Sequence, residues 1–131
     1  MKMFWFRYDG VAGMRLHIAE VFLALVFLLG GLVAWRNPQP QAAQLAKFGL
    51  PLPNLLVRLN AAVMLVAGAA LALNIHAAVA SAVLAMVLVP TTLVGHAFWT
   101  AAGNARNEQL AHFIKNVAVL GGLIGLTIAA S

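Results

Sequence analysis

The chain has 131 residues, of which 63% are hydrophobic and only 8% are charged. Soluble domains carry about 25% charged residues, so this composition excludes a water-soluble globular protein and predicts an integral membrane protein. The net charge is +5, but the basic residues are scattered along the chain, which argues against a nucleic-acid-binding surface. The absence of cysteine excludes disulfides and cysteine-based metal or thiolate chemistry within the chain.

Four apolar segments are each long enough to cross a bilayer, which takes about 20 helical residues. They cover residues 18–35, 55–73, 77–94 and 113–130. The sequence therefore predicts an all-α membrane protein, a four-transmembrane-helix bundle that forms a single domain over residues 1–131. The first segment also fits a cleaved signal peptide, but no small-residue cleavage motif follows Trp35. Small residues at four-residue spacing, such as Gly121 and Gly125, favour close helix packing.

The segments outside the spans have distinct compositions. Residues 1–16 combine aromatic and basic side chains, which predicts an interfacial leader; a frayed leader, or a start at Met14, is the alternative. Residues 36–54 contain four prolines and predict one or two helical turns on the membrane surface. A short turn at residues 74–76 makes spans two and three antiparallel neighbours. Residues 97–112 form a second long polar connection.

Four spans place both ends of the chain on one membrane face, face A, which also carries the turn at residues 74–76. The connections 36–54 and 97–112 lie on the opposite face, face B. Face B has more basic residues than face A, so the positive-inside rule favours face B as the cytoplasmic side. The cations of face B are Arg36, Lys47, Arg58, Arg106 and Lys115, and those of face A are Lys2, Arg7 and Arg15.

The stretch PTTLVGHAFW ends the third span at face B and is unusually polar for its position. Pro90 removes a backbone donor and kinks the helix, while Thr91 and Thr92 can bond to nearby carbonyls that lipid leaves unsatisfied. Gly95 allows a backbone or a ligand to approach, and His96 can donate, accept or carry a proton. The alternative interpretation is an ordinary interfacial cap of the helix.

The fourth span opens with HFIKN, which also lies at face B. His112 and Asn116 share a helical face, and His112 and Lys115 are near neighbours. A solvated first turn with a snorkelling Lys115 is the alternative. Asn116 precedes an unbroken apolar run, so its amide is expected to pair with another helix. The candidate partners are Asn60, Arg58 and His96.

Two further groups of ionisable residues limit the possible sites. Glu20 is the only acid within a predicted span, and intramembrane carboxylates are candidates for proton-carrying roles. It lies close to the start of its span near His17, so snorkelling or local pairing is the preferred interpretation. The histidines divide between the faces, which excludes a four-histidine metal site in one chain. His17 and His76 lie on face A, and His96 and His112 lie on face B.

PTTLVGHAFW followed by HFIKNVAVLGGL resembles the signature of the DoxX family, particularly its small, alanine-rich bacterial branch. FGLP and LVRLNAAVMLVAG are also similar, and the resemblance covers roughly residues 14–126. It implies a four-helix protein of the bacterial inner membrane. The resemblance implies four site residues, which are the positions that match the family's motifs: His96, Trp99, Lys115 and Asn116. Many members have a glutamate in the middle of span two, close to the place where this chain has Met64.

The resemblance further implies a subunit of a membrane-associated redox or thiol-stress complex. Its partners would be peripheral enzymes of the superoxide dismutase or sulfurtransferase type, and the chain alone is not expected to be an enzyme. A quinone headgroup needs hydrogen-bond donors, a proton-exchanging group and an aromatic wall at headgroup depth, and polar residues collect at that depth on face B. The candidate set is Arg58, Asn60, His96, Trp99, Lys115 and Asn116.

Two alternative functions remain. A small proton-coupled multidrug transporter would use Glu20 as the shared proton and cation site of a dimer, but Glu20 lies far from the polar layer at face B. A ligand-free scaffold would recruit partners through the connections 36–54 and 97–112. A homo-oligomer is expected.

Overall fold

A computed structural model describes residues 10–131, which form five α-helices and one 3₁₀ turn. The helices are α1 (Gly10–Arg36), α2 (Gln39–Lys47), α3 (Pro53–Ala72), α4 (Ala77–Gly95) and α5 (Gly103–Ala129), and the 3₁₀ turn is Phe98–Thr100. In the described part of the chain, four helices are long and apolar enough to cross a membrane. The predicted all-α bundle of four transmembrane helices is therefore confirmed.

Two helices extend well beyond the predicted spans. Helix α1 includes residues 10–16 of the predicted leader, whereas residues 1–9 lie outside the described residues. Helix α5 begins at Gly103 instead of residue 113, so most of the predicted loop is helical. Alanine, arginine, glutamate, glutamine and leucine dominate this segment and favour a helix. The segment as a whole is too polar to be predicted as part of a membrane span. The extension gives the polar side chains of this segment fixed positions at face B.

Helix α2 confirms the helical turns predicted within residues 36–54. Prolines precede α2 and occupy its first turn, where a missing backbone N–H has no helical partner to lose. Ala42 is buried in a small cluster with Ala34 of α1 and with Val57 and Ala61 of α3. Helix α2 is thereby held against the face-B ends of α1 and α3.

Helices α1 and α3 are in close contact, and glycine makes this contact possible. A Cβ atom on Gly31 would lie 3.2 Å from the carbonyl oxygen of Ala61 and 3.1 Å from Leu65 Cγ. In contrast, a Cβ atom on Gly121 or Gly125 would meet nothing within 4 Å. The close packing expected from small residues is therefore found between α1 and α3, while Gly121 and Gly125 lie on an open face of α5.

Helices α3 and α4 are antiparallel neighbours, as predicted from the short turn between them. Asn74 and His76 adopt left-handed backbone conformations with φ of 55° and 46°, which reverse the chain.

Helix α4 also contacts α5 in the interior of the bundle, where Ser81 Oγ of α4 lies 2.9 Å from Thr127 Oγ1 of α5. The largest fully buried apolar side chains of the described core are Phe27, Leu71, Leu84 and Leu123.

Glu20 is fully buried, with 0% of its surface exposed. His17 Nδ1 lies 3.2 Å from Glu20 Oε2, which confirms the predicted local pairing. The snorkelling interpretation is wrong, because a snorkelling carboxylate reaches solvent. Glu20 is buried because α1 starts earlier than the predicted span. Glu20 lies ten residues after Gly10, or about 15 Å along the helix, instead of in the first turn.

Candidate binding cavity at face B

A cavity of about 640 Å³ lies at face B, bordered by residues of all five helices. Its apolar lining includes the buried side chains of Phe27, Val57 and Leu88. Its polar lining comes from α2, α3, α4 and α5 and from His96, which directly follows α4. The polar residues are Gln41, Gln44, Asn60, Thr91, His96, Glu108, Gln109, His112, Lys115 and Asn116. Several of these are exposed, so the cavity joins a buried apolar interior to a polar rim.

Four of the six predicted site residues line this cavity. They are Asn60, His96, Lys115 and Asn116. These side chains come from α3, α5 and the end of α4, so residues distant in sequence meet at one depth, as the topology predicted. The polar layer of face B is thus a cavity wall.

Arg58 and Trp99, the other two predicted residues, are not among the residues that line the cavity. The Arg58 guanidinium lies 5.9 Å from the ring centroid of Trp35, an arrangement typical of a cation–π contact. Trp99 is 52% exposed and packs edge-on against Phe98 and Phe113. Both residues belong to the outer surface of face B.

The consecutive threonines of PTTLVGHAFW connect α4 to its two neighbours. Thr91 and Thr92 each donate a hydrogen bond to a carbonyl one turn earlier in α4, at 2.7 Å, as the sequence predicted. A hydroxyl has one hydrogen, so each oxygen is left as an acceptor. Thr91 Oγ1 then accepts from Asn60 Nδ2 of α3 at 3.3 Å. Thr92 Oγ1 accepts from Asn116 Nδ2 of α5 at 3.1 Å.

This arrangement corrects one expectation about Asn116. Its amide pairs with another helix, as predicted, but its partner is Thr92 instead of Asn60, Arg58 or His96. The Thr92 hydroxyl can accept this hydrogen bond because its own hydrogen is donated to the Leu88 carbonyl, which leaves the oxygen free to accept. Asn116 is only 7% exposed, so this hydrogen bond lies inside the bundle.

His96 belongs to a cluster with three residues of α5. His96 Nδ1 lies 2.9 Å from Gln109 Oε1. The His96 and His112 rings are stacked, with centroids 5.0 Å apart and an interplanar angle of 19°. Lys115 Nζ lies 3.4 Å from His112 Nδ1. The cluster places hydrogen-bond donors and acceptors next to the apolar part of the cavity.

The sequence prediction missed Gln109, because it lies in the segment that was assigned to a loop. Gln109, His112 and Asn116 are spaced three and four residues apart, which is the repeat of one helical face. Extending span four backwards along this repeat would have found Gln109. The glutamines of α2, Gln41 and Gln44, carried no comparable signal, because only the packing of α2 brings them to the cavity.

The cavity has the composition of a site for an amphiphile. Asparagine, histidine, glutamine and lysine side chains supply donors and acceptors, and the apolar interior suits a hydrocarbon group. Among residues 10–131, no group of three or more histidine, aspartate or glutamate side chains is arranged to hold a metal ion. The described residues that line the cavity offer hydrogen bonding and apolar contact.

The fold and the cavity define a class: a four-helix membrane protein with a polar-rimmed cavity at one membrane face. A family model described as DoxX matches residues 16–97, and the chain belongs to the DoxX family. This confirms the resemblance drawn from PTTLVGHAFW. The match ends next to His96, so the part of the cavity formed by α5 lies beyond it.

A relative with a curated description is the inner membrane protein YphA of Escherichia coli strain K12. It is 26% identical over 125 residues, which cover 95% of this chain and 89% of that protein. The four membrane-spanning helices and this relative agree with the predicted location, a multi-pass protein of the bacterial inner membrane. No solved structure matches the chain.

Proposed function

We propose that this DoxX protein is the membrane subunit of a redox or thiol-stress complex, and that its face-B cavity binds the headgroup of a quinone. The observation that supports the proposal is the cavity itself, which joins a polar rim to an apolar interior at the membrane border. A prenylated quinone has the same division between a polar ring and a hydrocarbon tail. The volume of about 640 Å³ is within the range of ligand sites, roughly 300–1,000 Å³.

The proposed headgroup contacts come from α5 and from the end of α4. Lys115 and Asn116 are donors, and Asn116 Nδ2 has a second hydrogen beyond the one given to Thr92. His96 is the proton-exchanging group. The apolar wall is formed by residues such as Phe27 instead of by Trp99, which lies outside the cavity.

The test is the quinone content of protein purified from membranes in mild detergent. We expect His96→Ala to reduce the co-purifying pool of quinone plus quinol at least fivefold, because it removes a hydrogen-bond partner of the headgroup in its quinol form, worth about 1 kcal/mol or more. His76→Ala is the matched control, since His76 is an exposed histidine on face A. Equal quinone contents in the wild type and the His96 variant, at equal protein yield, would contradict the proposal.

The outer surface of face B supports a second part of the proposal, the docking of peripheral oxidoreductases of the superoxide dismutase or sulfurtransferase type. The basic residues of face B are exposed, which favours an acidic partner surface. Arg58 and Trp99 belong to this surface. We expect Arg106→Glu to release co-purifying partners while leaving the quinone content unchanged, because Arg106 does not line the cavity. Mass spectrometry of the purified complex measures both.

The proposed subunit also forms a homo-oligomer. Gly121 and Gly125 lie on an open face of α5, where small residues allow a second helix to approach closely. Replacing either glycine with a large residue is then expected to shift the purified protein to a smaller species on size-exclusion chromatography with light scattering.

Proton-coupled transport through Glu20 is the second candidate function, and the full burial of this carboxylate supports it. Glu20 is not among the described residues that line the face-B cavity, so the two functions are separable. Proton release on addition of a lipophilic cation, absent in Glu20→Gln, would favour transport. The same variant is expected to retain bound quinone if the cavity is the functional site.

A further inference from the structure

The hydrogen bond between His96 and Gln109 determines which ring nitrogen of His96 carries the hydrogen. His96 Nδ1 lies 2.9 Å from Gln109 Oε1. An amide oxygen only accepts hydrogen bonds, so Nδ1 must be the donor. An uncharged imidazole carries one hydrogen, which leaves a lone pair on Nε2. Within residues 10–131, Nε2 of His96 has no hydrogen-bond partner, and His96 lines the cavity.

The surrounding charges favour the uncharged form of the His96 ring. Lys115 Nζ lies 3.4 Å from His112 Nδ1, and an ammonium group only donates, so His112 is an acceptor at Nδ1. The His112 ring is stacked on the His96 ring, at 5.0 Å between centroids. A positive charge on His96 would therefore lie close to that of Lys115. Glu108 also borders the cavity, but its side chain is exposed to solvent.

We infer that the cavity selects a ligand hydroxyl: His96 Nε2 accepts a hydrogen bond from a phenolic, quinol-type headgroup, and Gln109 is the positioning residue that fixes the ring for this role. The inference deepens the proposed function, on which it rests. A quinol has two hydroxyl groups that donate, whereas the carbonyl oxygens of a quinone only accept. Lys115 and Asn116 can donate to the oxygen atoms of either form, so His96 is the group that distinguishes them.

The experiment measures binding of three small probes to the full chain in lipid nanodiscs under anaerobic conditions. The probes are a benzoquinone with one isoprenoid unit, its quinol, and the dimethyl ether of that quinol, which keeps the ring but cannot donate. We expect the quinol to bind about tenfold more tightly than the other two probes, the effect of one additional hydrogen bond in a desolvated site.

Gln109→Leu is expected to reduce this preference to less than threefold, because it releases the His96 ring. Gln44→Leu is the matched control, since Gln44 also lines the cavity but does not bond to His96, and it should keep the full preference. The ratio of affinities is the informative readout, because a general loss of packing weakens all three probes together.

Equal binding of quinol and quinone by the wild type would overturn this inference alone, as would an unchanged preference in Gln109→Leu. Absence of saturable binding by all three probes would overturn the proposed quinone site and the inference together.

Discussion

Thr91 and Thr92 are the residues through which α4 is joined to both of its neighbours in the bundle. Each hydroxyl donates to a carbonyl of its own helix and accepts from an asparagine of another, Asn60 or Asn116. Lipid offers no alternative partner, so these amides are satisfied only within the protein. The sequence motif Pro-Thr-Thr therefore organises the wall of the cavity as well as the end of the helix.

Replacing Thr92 with valine should destabilise the bundle, because the buried Asn116 amide loses its acceptor. The expected loss in the free energy of unfolding is about 1 kcal/mol, the usual scale for interhelical hydrogen bonds in membranes. Thr92→Ser keeps the hydroxyl and should be close to wild type. Thr92→Val combined with Asn116→Leu should recover part of the loss, since both polar partners are removed. Unfolding by denaturing detergent measures all three variants, and equal midpoints for Thr92→Val and Thr92→Ser would show that this hydrogen bond does not stabilise the bundle.

Gly95 lines the cavity, and a Cβ atom there would meet nothing within 4 Å. A larger residue at this position should therefore enter open space without disturbing the fold. We expect Gly95→Leu to reduce bound quinone several-fold with little change in unfolding midpoint. Gly121→Leu, at an equally open glycine outside the cavity, should leave the quinone content of the protein unchanged. A full complement of quinone in Gly95→Leu would show that the ligand lies elsewhere.

At the scale of helices, α1 and α3 are closely packed, and Gly31 lies at their contact. A methyl group at this position would press on the backbone of α3 as well as on the side chain of Leu65. We expect Gly31→Ala to lower the free energy of unfolding by about 1–3 kcal/mol, the usual effect of overpacking. Gly125→Ala adds the same methyl group to an open face of α5 and should be neutral. Similar unfolding midpoints for the two variants would disprove this packing assignment.

The sequence predicted the number and order of the spans and the antiparallel pairing of spans two and three, because these depend on local hydrophobicity and loop length. It failed where a helix continued beyond its apolar part. Helix α5 begins ten residues earlier than predicted, and this extension contains Gln109. The approach of α2 to the cavity was also beyond the sequence, since it depends on the packing of Ala42 against α1 and α3. The side chains that line the cavity were therefore predictable at the ends of the spans, but not along the polar extensions of the helices.

At the scale of the whole molecule, the two membrane faces differ in charge and in architecture. On face A a short turn joins α3 to α4, whereas face B contains α2, the polar start of α5 and the cavity. The excess of basic residues at face B predicts that this face, and hence the cavity rim, is cytoplasmic. A cytoplasmic rim would expose the cavity to soluble partner enzymes.

This orientation is testable because the chain has no cysteine. Single cysteines at exposed positions on the two faces, His76→Cys and Asn104→Cys, can be treated with a membrane-impermeant maleimide. In intact spheroplasts we expect labelling of position 76 alone, and of position 104 only after permeabilisation. The opposite pattern would place the cavity rim on the periplasmic side.

If the face-B cavity is a ligand site, a photoreactive ligand should label the residues that line it. A photoreactive quinone analogue would be irradiated with the native protein in membranes, and the labelled peptides identified by mass spectrometry. We expect adducts in residues 90–96 and 108–116 that disappear when excess unlabelled quinone is added. Adducts confined to the region of Glu20, or adducts that unlabelled quinone does not reduce, would contradict this expectation.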